Sequence, residues 1–378
     1  MNRVVIVAAR RTPQGRFLGG LCKRSAVELG VAAAAAALEP VGAACVDLVI
    51  VGNVLGAGLG MNVARQIGVK AGVPVAAPAF TVNMMCASGM QAVMLAADAI
   101  RAGDAEVVLC GGTESMSNAP HLLPRARTGL RLGDGVLVDT LLCDGLVDAF
   151  DGRHMGLSAE RLAREYRLTR DQLDAFAVES QRRYSPAACA DEIVAVGELS
   201  ADEHPRPTTT LPDLAKLAPA FDPAGCVTAG NASGVNDGAA MLVLASEAVA
   251  RRRGWPVLAA IDGQAAAGCD PALMGLGPVH ATRKLCARTG TAIGDYDAIE
   301  INEAFAAQVL ACLAELGLDQ RRVNEHGGAI ALGHPIGASG ARLIVHLAHR
   351  IARGGVARGL ATLCVGGGMG TAVALSAP

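Results

Sequence analysis

Two short segments of this 378-residue chain place a reactive side chain shortly before a Ser-Gly pair. The first, Thr81–Gln91, reads TVNMMCASGMQ and carries Cys86. The second, Gly333–Leu343, reads GHPIGASGARL and carries His334. A thiol is a nucleophile, and an imidazole is a base that can take its proton. The two segments therefore predict cysteine-based nucleophilic catalysis, with its parts supplied by two copies of one structural unit.

Local sequence supports a chemical role for both residues. Cys86 precedes small residues where a predicted strand turns into a helix, and the free N–H groups there favour a thiolate and can bind an oxyanion. His334 lies among glycines, with Pro335 fixing the turn, so that it can deprotonate a thiol or donate to an oxyanion. The alternatives are a buried structural cysteine and an exposed turn histidine.

Two further positions are candidates for chemistry. Cys364 ends a predicted strand and precedes three glycines, so a second thiol there can shuttle protons, although a tight turn also explains the glycines. Asn302 follows the predicted strand AIEI, at the end where open α/β sheets place ligand sites. Its side chain can hold a water or a carbonyl, or it can cap the following helix.

The two segments belong to a longer internal repeat with an offset of about 250 residues. The predicted strands that begin at Val46 and Tyr296 share this offset, as do those around Cys110 and Cys364. A last pair of strands, GAAMLVLAS and GTAVALS, breaks it. The break indicates an insertion into the first copy, at roughly Met116–Val235.

Composition restricts the class of protein. Apolar residues make up 52% of the chain, aromatic residues only 3%, and there are 46 glycines, which suits buried parallel strands and closely packed helices in two or three cores. A formal net charge of −2 disfavours nucleic-acid or bulk membrane binding. No apolar stretch resembles a membrane span. The eleven scattered cysteines indicate neither disulfides nor a zinc motif, and they favour a cytoplasmic location.

The pattern of elements separates the middle of the chain from its ends. Strands and helices alternate near the start and again from Pro256 onward, which indicates a parallel sheet covered on both faces. Ser158–Arg183 carries a helical charge pattern with Ser158 and Thr169 as N-caps, and Pro205–Pro223 is predicted to be loop. The middle segment is therefore expected to be a loop domain that contacts ligand.

The stretches VNMMCASGMQA, INEAFAAQ, NEHGGAIALGHPIGASGAR and CVGGGMG resemble the signatures of the thiolase family. The likeness runs from Arg3 to Ala377. It implies a duplicated, five-layered α/β/α/β/α sandwich with an inserted loop domain. The implied parts are an N-terminal half at 1–116 whose last strand returns at about 236–250, an inserted domain for CoA binding and oligomerisation at 117–235, and a C-terminal half at 251–378.

The resemblance implies a reaction. Cys86 attacks an acyl-CoA while His334 takes its proton, and Cys364 then removes an α-proton from acetyl-CoA for a Claisen condensation. In reverse, CoA cleaves a 3-ketoacyl-CoA. One oxyanion hole is formed by His334 and a water held by Asn302, and the other by the backbone N–H groups of Cys86 and Gly366. CoA thioesters are the substrates, and no metal or redox cofactor is required.

The resemblance also implies contacts to the substrate: His154, Met155 and Ser233 along the pantetheine, Arg206 against the adenine, and Leu217, Met274 and Phe305 as apolar walls. One segment departs from the family. Between Gln181 and Ala201 the chain is shorter than is usual for short-chain members.

The HMG motif at His154–Gly156 together with Met116–Asp151 most resembles the acetyl-CoA acetyltransferase branch, in which a loop from this region reaches across to form tetramers. We therefore expect short substrates such as acetoacetyl-CoA and a homotetramer, or at least a dimer. Two alternatives stay open. A decarboxylating ketoacyl synthase shares the fold but typically uses two histidines and no cysteine at the position of Cys364. A non-catalytic acyl-CoA-binding protein would keep the fold without turnover.

Overall fold

A computed structural model describes residues 2–378. The strands are β1 Val4–Arg11, β2 Gly15–Arg16, β3 Leu48–Gly52, β4 Ala79–Val82, β5 Val107–Ser115, β6 His121–Leu122, β7 Val138–Asp139, β8 Asn236–Ser246, β9 Ala259–Gly268, β10 Ala298–Ile301, β11 Arg358–Val365 and β12 Met369–Ser376. The α-helices are α1 Ala26–Leu38, α2 Val63–Lys70, α3 Ser88–Ala102, α4 Gly156–Glu165, α5 Arg170–Arg183, α6 Pro186–Cys189, α7 Leu211–Ala215, α8 Glu247–Arg253, α9 Gly277–Thr289, α10 Ala306–Leu316, α11 Ala329–Leu332 and α12 Ile336–Ala352.

The main sheet has the order β10-β11-β12-β9-β1-β8-β5-β3-β4, with β2 paired to β8. In the first half, β3 runs parallel to β4 and β5, and β8 runs antiparallel to β5 and β1. In the second half, β10 runs parallel to β11, and β12 runs antiparallel to β11 and β9. Val323 forms a parallel bridge to Ile299, at the place where β4 lies beside β3. The halves share strand order and polarity, so the predicted duplication is confirmed.

The two halves meet in the middle of the molecule. The strands β1 and β9 join them through only two residue pairs, Val5 with Ala260 and Ile6 with Ala259. Between the two halves of the sheet lie α3 and α12, whose apolar residues share one core with both. The helices α1 and α2 cover the outer face of the first half, and α9 and α10 cover the outer face of the second. This gives the five layers that the family resemblance implied.

Helix α12 is buried along nearly its whole length, including the polar side chains of Arg342, His346 and Arg350. Its backbone lies in direct contact with the backbones of α3 and β5, because glycines without side chains stand at the points of contact. A Cβ on Gly112 would lie 2.0 Å from the carbonyl oxygen of Gly337, and one on Gly89 would lie 2.9 Å from the same atom. Neither position can carry a side chain, so the starts of the two central helices are held at a short distance.

The middle segment differs in detail from the sequence prediction. Thr169 caps α5 through a capping box, as expected, but Ser158 lies inside α4, whose N-cap is Met155. The local charge pattern does not reveal that α4 already begins at Gly156. The Pro-rich stretch expected to be loop contains the short helix α7. Thr210 is the N-cap of this helix and forms a capping box with Asp213.

Within residues 2–378, none of the helices is both long and apolar enough to cross a membrane. The strand β8 returns to the first half of the sheet between β5 and β1. The segment between β5 and β8 therefore leaves the sheet and rejoins it, and it covers the end at which β4 and β11 deliver Cys86 and Cys364.

Candidate active site

Cys86 lies in the turn between β4 and α3. Met85 takes a left-handed conformation with φ of 47°, which is unusual for a residue other than glycine and is typical of strained functional turns. Ser88 holds this turn, because its Oγ accepts from the N–H of Met84 at 2.9 Å and donates to the carbonyl of Met85 at 2.7 Å. The serine of the repeat thus fixes the backbone that carries the thiol.

The charge state of Cys86 differs from the sequence expectation. Burial raises the pKa of the thiol to about 11, although the backbone N–H groups of Gly366 and of Cys86 itself lower it in part. Desolvation outweighs the effect of the helix start, because only 5% of the residue is exposed. The expectation that the helix start favours a thiolate is wrong for the protein without substrate, and a base must take the proton.

His334 is suited to be that base. Its Nδ1 lies 2.6 Å from Ser339 Oγ, which itself lies 3.0 Å from the carbonyl oxygen of Pro335. The hydroxyl has one proton, which it donates to Pro335, so it accepts from an Nδ1–H group. This assigns the lone pair to Nε2, which is buried and has no hydrogen-bond partner among residues 2–378. Burial and the charge of Arg342 lower the pKa of His334 to about 3, so the ring is neutral.

The backbone of His334 is also held. Its N–H donates to Asn236 Oδ1 at 2.9 Å. Gly333, just before it, has φ of 101°, and a Cβ there would lie 2.3 Å from the Asn236 side chain. Only glycine fits this position, which explains the Gly-His pair.

Cys364 lies one residue before the end of β11 and lines the same cavity as Cys86. Burial raises its pKa well above the ordinary value, and the neighbouring Cys86 adds to this effect. Gly366 follows in the turn, where a Cβ would lie 2.9 Å from Met155 Sδ. The turn thus leaves the N–H of Gly366 free to point at the Cys86 sulfur.

Asn302 lies behind this surface, at the end of β10. It does not cap α10, whose N-cap is Phe305. Its side chain is fully buried, and neither Oδ1 nor Nδ2 has a hydrogen-bond partner among residues 2–378. An amide in this condition is suited to hold a small polar molecule, because a buried polar group without a partner is costly.

One cavity of about 550 Å³ brings most of the candidates together. It is lined by Cys86, His334 and Cys364 and by all seven residues expected to contact the substrate: His154, Met155, Arg206, Leu217, Ser233, Met274 and Phe305. Arg206 reaches it despite the shortened segment, since its N–H donates to Gln181 Oε1 at 2.7 Å. Asn302 and Gly366 are adjacent to the cavity rather than in its lining.

Sequence reasoning missed several residues of the lining. Phe221 stacks on His154 with ring centroids 4.6 Å apart and meets Phe305 edge to face at 6.1 Å. His204 also lines the cavity, and its Nδ1 lies 3.3 Å from Asn236 Nδ2. The sequence offered only one hint of Phe221: phenylalanine is rare in this chain, which has six in all, so each large aromatic side chain was a candidate for a pocket wall.

Comparison with known proteins places the chain in a family. The family model described as "Thiolase, N-terminal domain" matches residues 4–248, and "Thiolase, C-terminal domain" matches residues 255–377. The chain belongs to the thiolase family. The resemblance drawn from the sequence motifs is confirmed.

Among curated relatives, an acetyl-CoA acetyltransferase of Pseudomonas aeruginosa is 53% identical over 391 aligned positions that cover all of both chains. A probable acetyl-CoA acetyltransferase of Escherichia coli is 50% identical and covers 99% of both. The crystal structure of a Bacillus anthracis acetyl-CoA acetyltransferase has a TM-score of 0.97 at 43% identity and covers 100% of this chain and 99% of that one. Human mitochondrial 3-ketoacyl-CoA thiolase has a TM-score of 0.96 at 41% identity, with the same coverage.

Proposed function

We propose that this chain is an acyl-CoA C-acyltransferase that condenses two molecules of acetyl-CoA to acetoacetyl-CoA and CoA, and catalyses the reverse thiolysis. One observation carries the proposal: the thiols of Cys86 and Cys364 and the free Nε2 of His334 face one cavity. Such a reaction needs one thiol as the nucleophile for acyl transfer, a neutral imidazole to take the proton of that thiol, and a second thiol to remove a proton from carbon.

In the acylation step, His334 Nε2 takes the proton of Cys86 as the sulfur attacks the thioester carbonyl of acetyl-CoA. The C–S bond to CoA breaks, CoA leaves with that proton, and an acetyl group stays on Cys86. The thiol is protonated at rest, so proton transfer accompanies attack. The neutral ring of His334 supports this order, because it is ready to accept.

In the condensation step, the proton of Cys364 passes to His334, and the Cys364 thiolate removes an α-proton from a second acetyl-CoA. The carbanion attacks the acetyl carbonyl on Cys86, a C–C bond forms, and the C–S bond to Cys86 breaks. The Cys86 thiolate then takes the proton that His334 holds, so all three groups return to their starting protonation states. The high pKa of the buried Cys364 thiol makes its thiolate a strong base, which suits the weak acidity of an α-carbon.

Both steps place negative charge on a thioester oxygen, and preorganised donors stabilise such charge. For the acyl-enzyme, the proposed donors are the backbone N–H groups of Cys86 and Gly366. Both groups already donate hydrogen bonds to the Cys86 sulfur in the protein without substrate, which supports this assignment. For the second thioester, we assign His334, once protonated, and a water bound by Asn302. The unpartnered amide of Asn302 supports this assignment.

The shape of the cavity supports a short acyl group. Met155 packs against the Gly366 turn, and Phe305 is held by Phe221 in an edge-to-face contact, so the inner wall is bulky. The relatives include a 3-ketoacyl-CoA thiolase as well as acetyl-CoA acetyltransferases, so chain length is the property to measure. We expect CoA-dependent cleavage of acetoacetyl-CoA to exceed that of 3-ketohexanoyl-CoA and longer substrates in kcat/KM. Equal or higher values with the longer substrates would contradict the acetoacetyl-CoA assignment.

We further propose that the protein is a homotetramer in the cytoplasm and acts without a metal or redox cofactor. Exposed apolar side chains concentrate between β5 and the π-helical turn at Leu141–Leu146, and they support assembly through this segment: Leu122, Leu123, Leu130, Leu132, Val136 and Leu137. Light scattering during size-exclusion chromatography should give four times the mass of the chain. A monomer would contradict the assembly.

The two alternative functions receive less support. A decarboxylating ketoacyl synthase would not need a thiol where Cys364 lies. A carrier without turnover would not need a His334 with an unpartnered Nε2 in the same cavity as two thiols. Both halves of the chain match thiolase family models, and this also disfavours them.

A further inference from the structure

Three side chains from distant parts of the sequence meet in the interior, outside the lining of the catalytic cavity. Cys189 ends the short helix α6, Glu192 follows it, and His346 lies on α12. Their ligand atoms, one from each residue, all lie within 4.8 Å of one another, and all three residues are buried. Across residues 2–378, no other group of three His, Cys, Asp or Glu side chains meets this condition.

The distances suit a bound metal ion. His346 Nδ1 lies 3.2 Å from Glu192 Oε2. A tetrahedral zinc ion holds imidazole nitrogen and carboxylate oxygen at about 2.0–2.2 Å, which separates those two atoms by roughly 3.3 Å. The pair is therefore spaced as two ligands of one ion would be.

Hydrogen bonds outside the cluster leave the right atoms available. Glu192 Oε1 accepts from Arg11 Nε and Nη2 at 3.1 and 3.0 Å, which leaves Oε2 to face the cluster. The positive charge of Arg11 is also paired with Asp202, whose Oδ1 lies 2.6 Å from Arg11 Nη1. His346 Nε2 lies 3.1 Å from His326 Nδ1, which leaves Nδ1 to face the cluster. Such outer partners typically orient metal ligands.

A buried cation lies beside the cluster. The guanidinium of Arg342 on α12 is 2% exposed, and none of its three nitrogens has a hydrogen-bond partner among residues 2–378. Glu192 and Cys189 are among the groups whose charges act on it. Binding a divalent ion with loss of the Cys189 proton adds one net positive charge here, so the thiolate and the Glu192 carboxylate have to offset the charges of both the ion and Arg342.

We propose that Cys189, Glu192 and His346 bind a divalent transition-metal ion that fastens the short connection after α5 to α12. A thiolate, an imidazole and a carboxylate match zinc best, with a water in the fourth position. On binding, the Cys189 S–H bond breaks, its proton passes to solvent, and a sulfur–metal bond forms. The site lies close below the surface, because Ala187 within α6 and Ala190 directly after it are exposed. Local opening of this short helix would therefore admit the ion.

The sequence contains no zinc motif because the ligands are far apart along the chain. Cys189 and Glu192 fall between Gln181 and Ala201, the segment expected to be shorter than usual, and His346 comes from the C-terminal half of the chain. The proposal goes beyond the proposed acyl transfer and does not depend on it, since none of the three side chains lines the catalytic cavity.

The first test is the metal content of the full chain, purified without a histidine tag, incubated with zinc and desalted. Inductively coupled plasma mass spectrometry should find about one zinc ion per wild-type chain. Cys189→Ser and His346→Gln should each reduce this to background, whereas Cys143→Ser, which removes an exposed thiol, should retain it. A wild-type chain without zinc, or equal zinc in wild type and both variants, would overturn the proposal.

A second test uses the wild-type chain and stays informative if a variant fails to fold. Cobalt(II) added to metal-free protein should produce thiolate-to-metal charge-transfer absorption, and zinc should raise the unfolding temperature. The absorption should persist in Cys86→Ala. Its loss in Cys86→Ala, or its absence in the wild type, would overturn the proposal, since the catalytic thiols would then be the ligands or no thiolate would bind.

Discussion

His334 Nδ1 lies 2.6 Å from Ser339 Oγ, and this contact determines which nitrogen of the imidazole is free. Ser88, at the matching place in the first half, bonds instead to the backbone of Met84 and Met85. The serine of the repeat thus has two tasks. In one half it sets the tautomer of the base, and in the other it shapes the turn of the nucleophile.

Ser339→Ala should impair the base without removing it. The ring of His334 would lose the acceptor that keeps the proton on Nδ1, and a fraction of molecules would carry it on Nε2, where it blocks proton transfer from Cys86. We expect kcat for thiolysis to fall roughly 10- to 100-fold, a part of the about 10²–10⁴ that a positioned acid–base group contributes, with little change in KM. Steady-state kinetics would measure this, with Ser200→Ala, an exposed serine, as control. An unchanged kcat would show that Ser339 does not set the tautomer.

Removing each thiol should stop the reaction at a different step. Cys86→Ala should lower turnover by at least about 10³-fold, because no acyl-enzyme can form. Cys364→Ala should still gain the mass of an acetyl group on incubation with acetyl-CoA, yet it should form no acetoacetyl-CoA. Cys110→Ala is the matched control, since this thiol is also buried but does not line the cavity. Condensation by Cys364→Ala at the wild-type rate would refute its role as the carbon base.

The reactivity of Cys86 should rise with pH over the whole accessible range. Burial raises its pKa to about 11, so the thiolate fraction below that value grows roughly tenfold for each pH unit. His334 has a pKa of about 3 and stays neutral above pH 5, so it adds no inflection. Alkylation of the Cys86 peptide by iodoacetamide, followed between pH 6 and 9, would measure this. A plateau above pH 7 would instead reveal a thiolate–imidazolium pair.

Arg206 should affect CoA affinity and not chemistry. It is exposed at the cavity, where a guanidinium can meet the phosphates or adenine of CoA. Exposed charge contacts contribute up to about 1 kcal/mol, so Arg206→Ala should raise KM for CoA about two- to fivefold with kcat unchanged. Arg251→Ala, an exposed arginine on α8, serves as control. An equal KM in Arg206→Ala would show that the shortened segment has moved this contact away from CoA.

The sequence was sufficient to predict the architecture, and three of its candidate residues, Cys86, His334 and Cys364, line one cavity. The offset between the two Ser-Gly segments predicted the duplicated sheet, because matching segments of the two copies occupy matching strands in each half. Cys86, His334 and Cys364 were found because each stands beside small residues at an element boundary. Such boundaries are visible in sequence, and their positions follow from topology.

What depends on tertiary contact was not predictable. The pKa of Cys86 moves opposite to the expectation because burial depends on the whole fold, whereas the helix start is a local feature. Phe221 and His204 line the cavity from a loop segment without periodicity. The meeting of Cys189 and Glu192 with His346 joins two halves of the chain, and no spacing rule connects them.

The close approach at Gly89, Gly112 and Gly337 has a consequence for how this chain can be divided. Helix α12 is almost entirely covered, and part of that cover comes from the other repeat, through α3, β5 and β8. A fragment ending before residue 251 would leave α3 with one bare side, and the remaining fragment would leave α12 bare in the same way. The two repeats are therefore not independent folding units: we expect each to aggregate when produced alone and to become soluble only when both are made together.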